Sequence, residues 1–177
     1  MQIRPVTLDD AASVLAIYQP YVEHTAATFE TEVPSLKDFE ARILHYSASY
    51  PWLVAVQSNE IVGYAYASRH RERAAYQWCV ESSVYVNEAN HGSGIAGALY
   101  NELFGGLRQL GYINVYAGIT LPNPKSYAFH SKMGFEPVGV YRNIGYKLGR
   151  WHDVAWLTKT LNPHPDHPLP PKTSRFH

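Results

Sequence analysis

The chain has 177 residues, enough for one domain with a full hydrophobic core and cramped for two. Hydrophobic residues make up 46% and charged residues 17%, a globular composition rather than a disordered one. Lys plus Arg and Asp plus Glu number 15 each, so the sequence carries no electrostatic footprint for nucleic acid or for an anionic membrane.

In chain order, Ile3 to Val6 reads as a short first strand. Thr7 followed by Asp10 has the form of a helix N-cap, and Val14, Leu15, Ile17, Tyr18 and Tyr21 follow at helical spacing. Ser35 with Asp38 is a second such start, whose buried stripe is Leu36, Phe39, Ile43 and Leu44. Two apolar runs, Trp52 to Val56 and Ile61 to Tyr66, flank a polar turn at Ser58-Asn59 and predict a β-hairpin. Trp78 to Val86 is a longer strand; alternation puts Trp78, Val80, Val84 and Val86 on one face and Cys79, Glu81, Ser83 and Tyr85 on the other. A Gly-rich turn leads into a helix from about Ile95 to Leu110, stopped by Gly111. Gly105-Gly106 inside that helix costs about 1 kcal/mol per Gly relative to Ala, with no evident reason. Ile113 to Ile119 is a strand, Pro122 and Pro124 break the chain, and Ser126 to Met133 reads as a short helix closed by Gly134. Val138 to Tyr146 and Val154 to Leu157 are the last strands. The Pro- and His-rich tail from Asn162 is expected to lie extended along the surface or against a partner subunit. The division is thus a domain at 1–161 and a tail at 162–177. The order β-α-α-β-β-β-α-β-α-β-β is an α+β pattern with hairpins rather than a regular βαβ repeat.

No apolar run is long enough to span a bilayer and the first residues lack a signal-peptide core, so a cytoplasmic protein is expected. Cys79 stands alone, which leaves no internal disulfide and no Cys-based metal site. The 9 His are scattered without zinc-protease spacing, so no metal is expected. The 14 Tyr and 4 Trp suit a core, a subunit interface or a flat-walled pocket.

The most informative stretch runs from Val84 to Leu99, where a strand enters a loop with glycines at 92, 94 and 97 and the loop opens a helix. Unsatisfied backbone N–H groups and the positive end of the helix dipole make such a start an anion cradle, and the glycines let a pyrophosphate approach the main chain. Taken alone, the spacing equally describes an ordinary strand–turn–helix connection. It is not a Walker loop, which needs Gly-Lys-Ser/Thr, and its mid-chain position argues against a dinucleotide-binding turn.

The segment His91-Gly92-Ser93-Gly94-Ile95-Ala96 resembles the acetyl-CoA loop of the GNAT superfamily, Gln/Arg-x-x-Gly-x-Gly/Ala, with His91 in place of the leading Gln or Arg. Tyr50-Pro51-Trp52-Leu53-Val54-Ala55, Glu81-Ser82-Ser83-Val84-Tyr85-Val86, Leu121-Pro122-Asn123-Pro124 and Gly149-Arg150-Trp151-His152-Asp153-Val154 are similar to the branch that acetylates phosphinothricin and methionine sulfoximine or sulfone. The resemblance covers nearly the whole chain. It implies an α/β/α sandwich with a mixed, mostly antiparallel sheet splayed between strands 4 and 5. It also implies acetyl-CoA as co-substrate, a small amine as acceptor, and a homodimer.

Acetyl transfer to an amine needs a base for the ammonium, a donor to the carbonyl oxyanion, an acid for the thiolate, and positioning. The resemblance makes Glu81 the base, direct or through water; alternation alone equally allows a solvated strand-edge carboxylate. It makes His130, in His130-Ser131-Lys132-Met133-Gly134-Phe135, the acid at the coenzyme A sulfur, where many relatives carry Tyr. The Val86 amide becomes the oxyanion donor. Backbone of Val84, Tyr85 and Val86 lines the pantetheine arm, and His91, Gly92, Ser93, Gly94, Ile95, Ala96 and Gly97 form the phosphate loop. Asn123 and Ser126 become further cofactor contacts, although Asn123 reads equally well as a turn residue between prolines. Tyr76, Gln77 and Trp78 line the acceptor pocket and Phe29 covers it, each otherwise a packing aromatic or turn residue. Lys147, Arg150 and Arg69 are candidates for the acceptor's carboxylate. Trp151-His152-Asp153 lacks a Gly-x-Ser-x-Gly partner and reads as a structural corner rather than a triad. Cys79 shares the face of Glu81, yet a half-buried strand Cys is usually inert, which favours direct transfer in a ternary complex. A peptide acetyltransferase and a non-catalytic acyl-CoA-binding module are the competing readings.

Overall fold

Residues 1–172 are described by a computed structural model. The elements are β1 (Gln2–Pro5), α1 (Ala11–His24), α2 (Leu36–Ser47), β2 (Trp52–Gln57), β3 (Glu60–Arg69), β4 (Cys79–Val86), α3 (Ile95–Leu110), β5 (Asn114–Leu121), α4 (Pro124–Lys132), β6 (Glu136–Lys147) and β7 (Arg150–Thr160). Their order is the expected one. Ser35 caps α2 by accepting from the Asp38 amide at 3.2 Å. The Thr7–Asp10 contact stands one turn earlier than expected, closing a short 3-10 turn at Leu8–Asp10 that leads into α1. The β2–β3 hairpin turns on Ser58 and Asn59, both at positive φ (51° and 64°), as a two-residue turn matched to strand twist requires.

The last hairpin is longer than its apolar pattern suggests. β6 lies at the sheet edge and is exposed along nearly its whole length, so no alternation marks it. Asp153 of β7 holds its irregular stretch together, accepting from the Asn143 amide and the Arg142 guanidinium, each at 2.8 Å.

The 7 strands form one sheet in the order β1-β2-β3-β4-β5-β7-β6. Every neighbouring pair is antiparallel except β4–β5. That parallel ladder is confined to Cys79–Glu81 against Asn114–Tyr116, while both strands continue past it. Beyond Glu81 the sheet is therefore split.

Helices cover both faces, which gives the α/β/α sandwich. Against one face α3 packs Leu99, Leu103 and Leu107, all fully buried, onto Val80, Val115 and Ala117. Each such leucine contributes roughly 1.5–3 kcal/mol by leaving water. The other face carries α1 and α2 over an aromatic core, with Trp52 stacked on Tyr66 at 4.4 Å and Tyr85 stacked on Tyr64 at 5.3 Å. No described helix is long and apolar enough to cross a membrane. The tail folds back over the end of α3: the Trp78 indole donates to the Leu169 carbonyl and the Lys172 amide to the Leu110 carbonyl, each at 2.8 Å. Residues 173–177, the end of the expected tail, lie outside the described residues.

Candidate active site

The split in the sheet makes the site. The Asn87 amide donates to the Val62 carbonyl at 2.9 Å. Alternation then turns the N–H and C=O of Val86, opposite Gly63, away from β3 and toward the side that β5 has left. The Val86 carbonyl accepts the Tyr21 hydroxyl at 2.6 Å and lies 3.0 Å from His91 Nε2. A cleft of about 840 Å³ opens there, lined by Val84, Tyr85, Val86, the start of α3, and residues of β5 and α4.

At the foot of α3, Gly92 and Gly94 have φ of +81° and +87°. An added Cβ would meet nothing within 4 Å at either, so backbone conformation and not crowding calls for glycine. No side chain caps α3. The amides of its first turn, from Ile95 through Gly97, thus remain an anion site beside Lys125 and Lys132, which also line the cleft. That donor set fits a pyrophosphate. His91 turns its ring to the Val86 carbonyl and Tyr21 hydroxyl, and Ser93 donates to the Asn90 carbonyl at 2.6 Å. Asn123 caps α4, its Oδ1 accepting the Ser126 amide at 3.1 Å, so its turn role and its place on the cleft wall coexist.

His130 hangs from α4 into the cleft wall and is buried. Its Nδ1 lies 2.8 Å from the Ser126 carbonyl, which only accepts, so Nδ1 carries the proton. Nε2 then accepts from the Tyr100 hydroxyl at 3.2 Å, and that hydroxyl accepts from Ser82 at 3.3 Å. Burial pushes the imidazole below its ordinary range and the Tyr100 phenol above its own. Burial thus favours the neutral ring, whose lone pair the geometry puts on Nε2.

Glu81 stands at the last β4–β5 pair before the split, on the opposite sheet face from Ser82. Its Oε1 lies 3.0 Å from Nδ1 of His70. Burial raises the carboxyl above the usual carboxylate range, partly opposed by the His70 bond and the positive Arg71. Tyr76 presents its edge to His70 at 6.4 Å, while Gln77 is exposed and Trp78 is turned to the tail. The four acceptor-side residues thus diverge: Tyr76 borders the Glu81 centre, and Phe29 belongs to a separate segment packed against β6 and His152.

Phe29 lies on β6, where a Cβ on Gly145 would come within 2.3 Å of its ring, and tilts against His152 at 6.1 Å. Glu30 beside it is held by Arg42 and by the Tyr18 hydroxyl. Lys147 is buried and donates to the Thr28 carbonyl at 2.8 Å, so it straps this segment down. Arg69 pairs with Glu72 at 2.9 Å, and Arg150 is exposed. The Cys79 thiol is pushed up by burial and takes a contact from Asn114, which makes it a poor nucleophile.

An "Acetyltransferase (GNAT) domain" model matches residues 3–156. The phosphinothricin N-acetyltransferase of Streptomyces viridochromogenes is 36% identical over 174 residues, covering 98% of this chain and 95% of that protein. The chain belongs to the GNAT acetyltransferase family. The L-methionine sulfoximine/L-methionine sulfone acetyltransferase of Salmonella typhimurium is 32% identical over 93% of this chain and 96% of its own length. A crystal structure of a GNAT phosphinothricin acetyltransferase from Sinorhizobium meliloti in complex with acetyl-CoA superposes with a TM-score of 0.89, at 33% identity over 98% of each chain.

As a GNAT enzyme, the protein is an N-acetyltransferase with the seven-stranded split sheet of that fold. Sequence reasoning missed four polar side chains at the centre: Tyr21, His70, Ser82 and Tyr100. Tyr21 and Tyr100 sit on the apolar stripes of helices and read as core, while Ser82 only broke a stripe of valines. His70 follows the end of β3, where no periodic pattern reaches it.

Proposed function

We propose that the enzyme transfers the acetyl group of acetyl-CoA to the amino group of a small amino-acid-like acceptor of the phosphinothricin, methionine sulfoximine or methionine sulfone type, directly within a ternary complex. The observation that carries this reading is the position of Glu81 at the apex of the split between β4 and β5, where a thioester lying in the cleft would meet an amine from the other face. Glu81 takes the ammonium proton: an N–H bond breaks and a carboxyl O–H bond forms. The Val86 amide faces the split and stabilises the carbonyl oxygen as it gains charge. The freed amine attacks the thioester carbon; a C–N bond forms as the C–S bond breaks, and the amine's second proton passes to the departing thiolate. With Nδ1–H held by the Ser126 carbonyl and Nε2 accepting from Tyr100, His130 orients the Tyr100 hydroxyl on the cleft wall rather than serving as the direct acid that the resemblance implies. The phosphates rest on the α3 amides with Lys125 and Lys132. The strapped segment carrying Phe29 favours a closed pocket for a small acceptor over an open peptide groove.

We place the reaction in the cytoplasm, where acetyl-CoA is made, and propose that a second copy covers the exposed apolar edge formed by Val140, Ile144, Tyr146 and Trp151. A single species of monomer mass in sedimentation overturns the dimer.

The deciding experiment is thiol release from acetyl-CoA across phosphinothricin, methionine sulfoximine, methionine sulfone, ordinary amino acids and short peptides. Turnover confined to the first three, and abolished in Glu81→Gln, is expected. Turnover with peptides alone moves the assignment to protein acetylation. Acetyl-CoA binding without turnover on any acceptor removes the named substrate class.

A further inference from the structure

The strand register explains how a histidine outside any predicted element reaches the base. Ser68 of β3 pairs with Glu81 of β4. His70 stands two residues further along, so it shares the face of Ser68 and is the diagonal neighbour of Glu81 across the ladder. Its ring is fixed from several sides. Tyr116, which pairs with Glu81 on the β5 side, stacks on it at 4.4 Å and 10°. Trp156 of β7 and Tyr76 meet it edge-on at 5.8 and 6.4 Å. The side chain is only 13% exposed, against 35% for Glu81. A ring held this way has its Nδ1 direction set by packing, and Nδ1 points at Oε1 of Glu81.

We infer that His70 is the positioning residue of the acceptor-side base, its Nδ1–H fixing one carboxylate oxygen of Glu81 so that the other is presented to the acceptor amine or to a bridging water. This rests on the reading of Glu81 as the base. His70 neither gains nor loses a proton in the step; the proton taken from the ammonium resides on Glu81. The bond also favours the ionised carboxylate over the protonated one, against the burial that opposes it. The other groups bearing on Glu81 are Arg71 through its charge, Tyr116 across the parallel ladder, and Cys79 one alternation back along β4.

Two variants separate the bond from the ring. His70→Phe keeps the stack on Tyr116 and removes the donor; His70→Asn places an amide N–H near the Nδ1 position and removes the ring. With saturating acetyl-CoA, His70→Phe is expected to lower kcat by up to about 100-fold, with the KM for acetyl-CoA unchanged. It is also expected to move the acid limb of kcat/KM upward by roughly one pH unit. His70→Asn recovers part of the kcat and returns the limb toward its original position. Nitrogen-15 NMR of the imidazole gives a readout independent of turnover. The neutral ring should be the Nδ1–H tautomer in the parent protein and lose that preference in Glu81→Ala. A folded His70→Phe with parent kcat and an unmoved acid limb overturns the inference, as does a tautomer indifferent to Glu81→Ala. If instead Glu81→Gln turns over like the parent while the tautomer still depends on Glu81, the reading of Glu81 as base fails and the pair stands.

Discussion

The two faces of β4 carry two polar centres built in opposite ways. On the α3 face, Ser82, Tyr100 and His130 form a hydrogen-bonded chain buried in the cleft wall, with both ring nitrogens of His130 engaged. On the other face, Glu81 is ionisable and half-buried, and His70 holds one of its oxygens. Adjacent residues, Glu81 and Ser82, thus serve different solvents because strand alternation sends them to opposite sides. The buried centre suits a step in which no charge persists. The half-buried one suits taking a proton from a cation and passing it to water. Activity and stability should therefore be coupled on the α3 face and separable on the other.

The largest expected effects test that separation. Glu81→Gln should lower kcat by roughly 10²–10⁴-fold while leaving the melting temperature near that of the parent, since the amide keeps the shape and an acceptor for His70. His130→Phe should lower kcat and also destabilise the fold by about 1–3 kcal/mol, because the buried Tyr100 hydroxyl loses its acceptor. Thermal melts beside kinetics check both; a His130→Phe protein as stable as the parent would show that the Tyr100 bond contributes nothing to the fold.

A second effect concerns pH. The raised Glu81 carboxyl loses its charge at a higher pH than an ordinary glutamate as the solution is acidified. Activity that requires the carboxylate is complete above that raised value and lost as pH falls through it. The acid limb of kcat/KM should lie above the usual carboxylate range, vanish in Glu81→Gln and persist in His130→Phe. A limb that vanishes in His130→Phe would assign the essential base to the buried centre.

The Phe29 segment, proposed as the cover over the acceptor, is a smaller lever. A methyl at Gly145 would strike the Phe29 ring, which must swing away, while the backbone there keeps negative φ and tolerates alanine. Gly145→Ala should raise the KM for the acceptor several-fold and leave that for acetyl-CoA unchanged. Steady-state kinetics with each substrate varied in turn reads the difference.

What the sequence made legible follows from where pattern has physical meaning. The long helices and the strands other than β6 were readable because each buries one face, and the Gly loop because positive φ leaves a residue-type signature. Glu81 and His130 entered through resemblance, and alternation alone had placed Glu81 only on a face. The length of β6 was not legible, since an exposed edge strand needs no alternation. His70 and Tyr100 were hidden for opposite reasons. Tyr100 fits a helical apolar stripe too well to suggest its hydroxyl matters, and His70 follows the end of a strand, so its partner emerges only from the register of β3 on β4.

The smallest prediction concerns the one helix feature that sequence could not explain. Gly105 lies within α3, yet a Cβ built on it meets nothing within 4 Å, and its backbone does not have positive φ. No close approach and no left-handed turn accounts for it. The residue therefore carries only the entropic cost of glycine in a helix, because the unfolded chain has more freedom to lose there than with alanine. Gly105→Ala should stabilise the protein by about 0.5–1 kcal/mol, a rise in melting temperature of roughly 2–4 °C per kcal/mol for a chain of this size. It touches neither face of β4, so kinetics should stay at parent values. A fall in stability would mean that α3 meets a surface at Gly105 that the isolated chain does not contain, and a second copy of the chain would be the first candidate to examine by sedimentation of the variant.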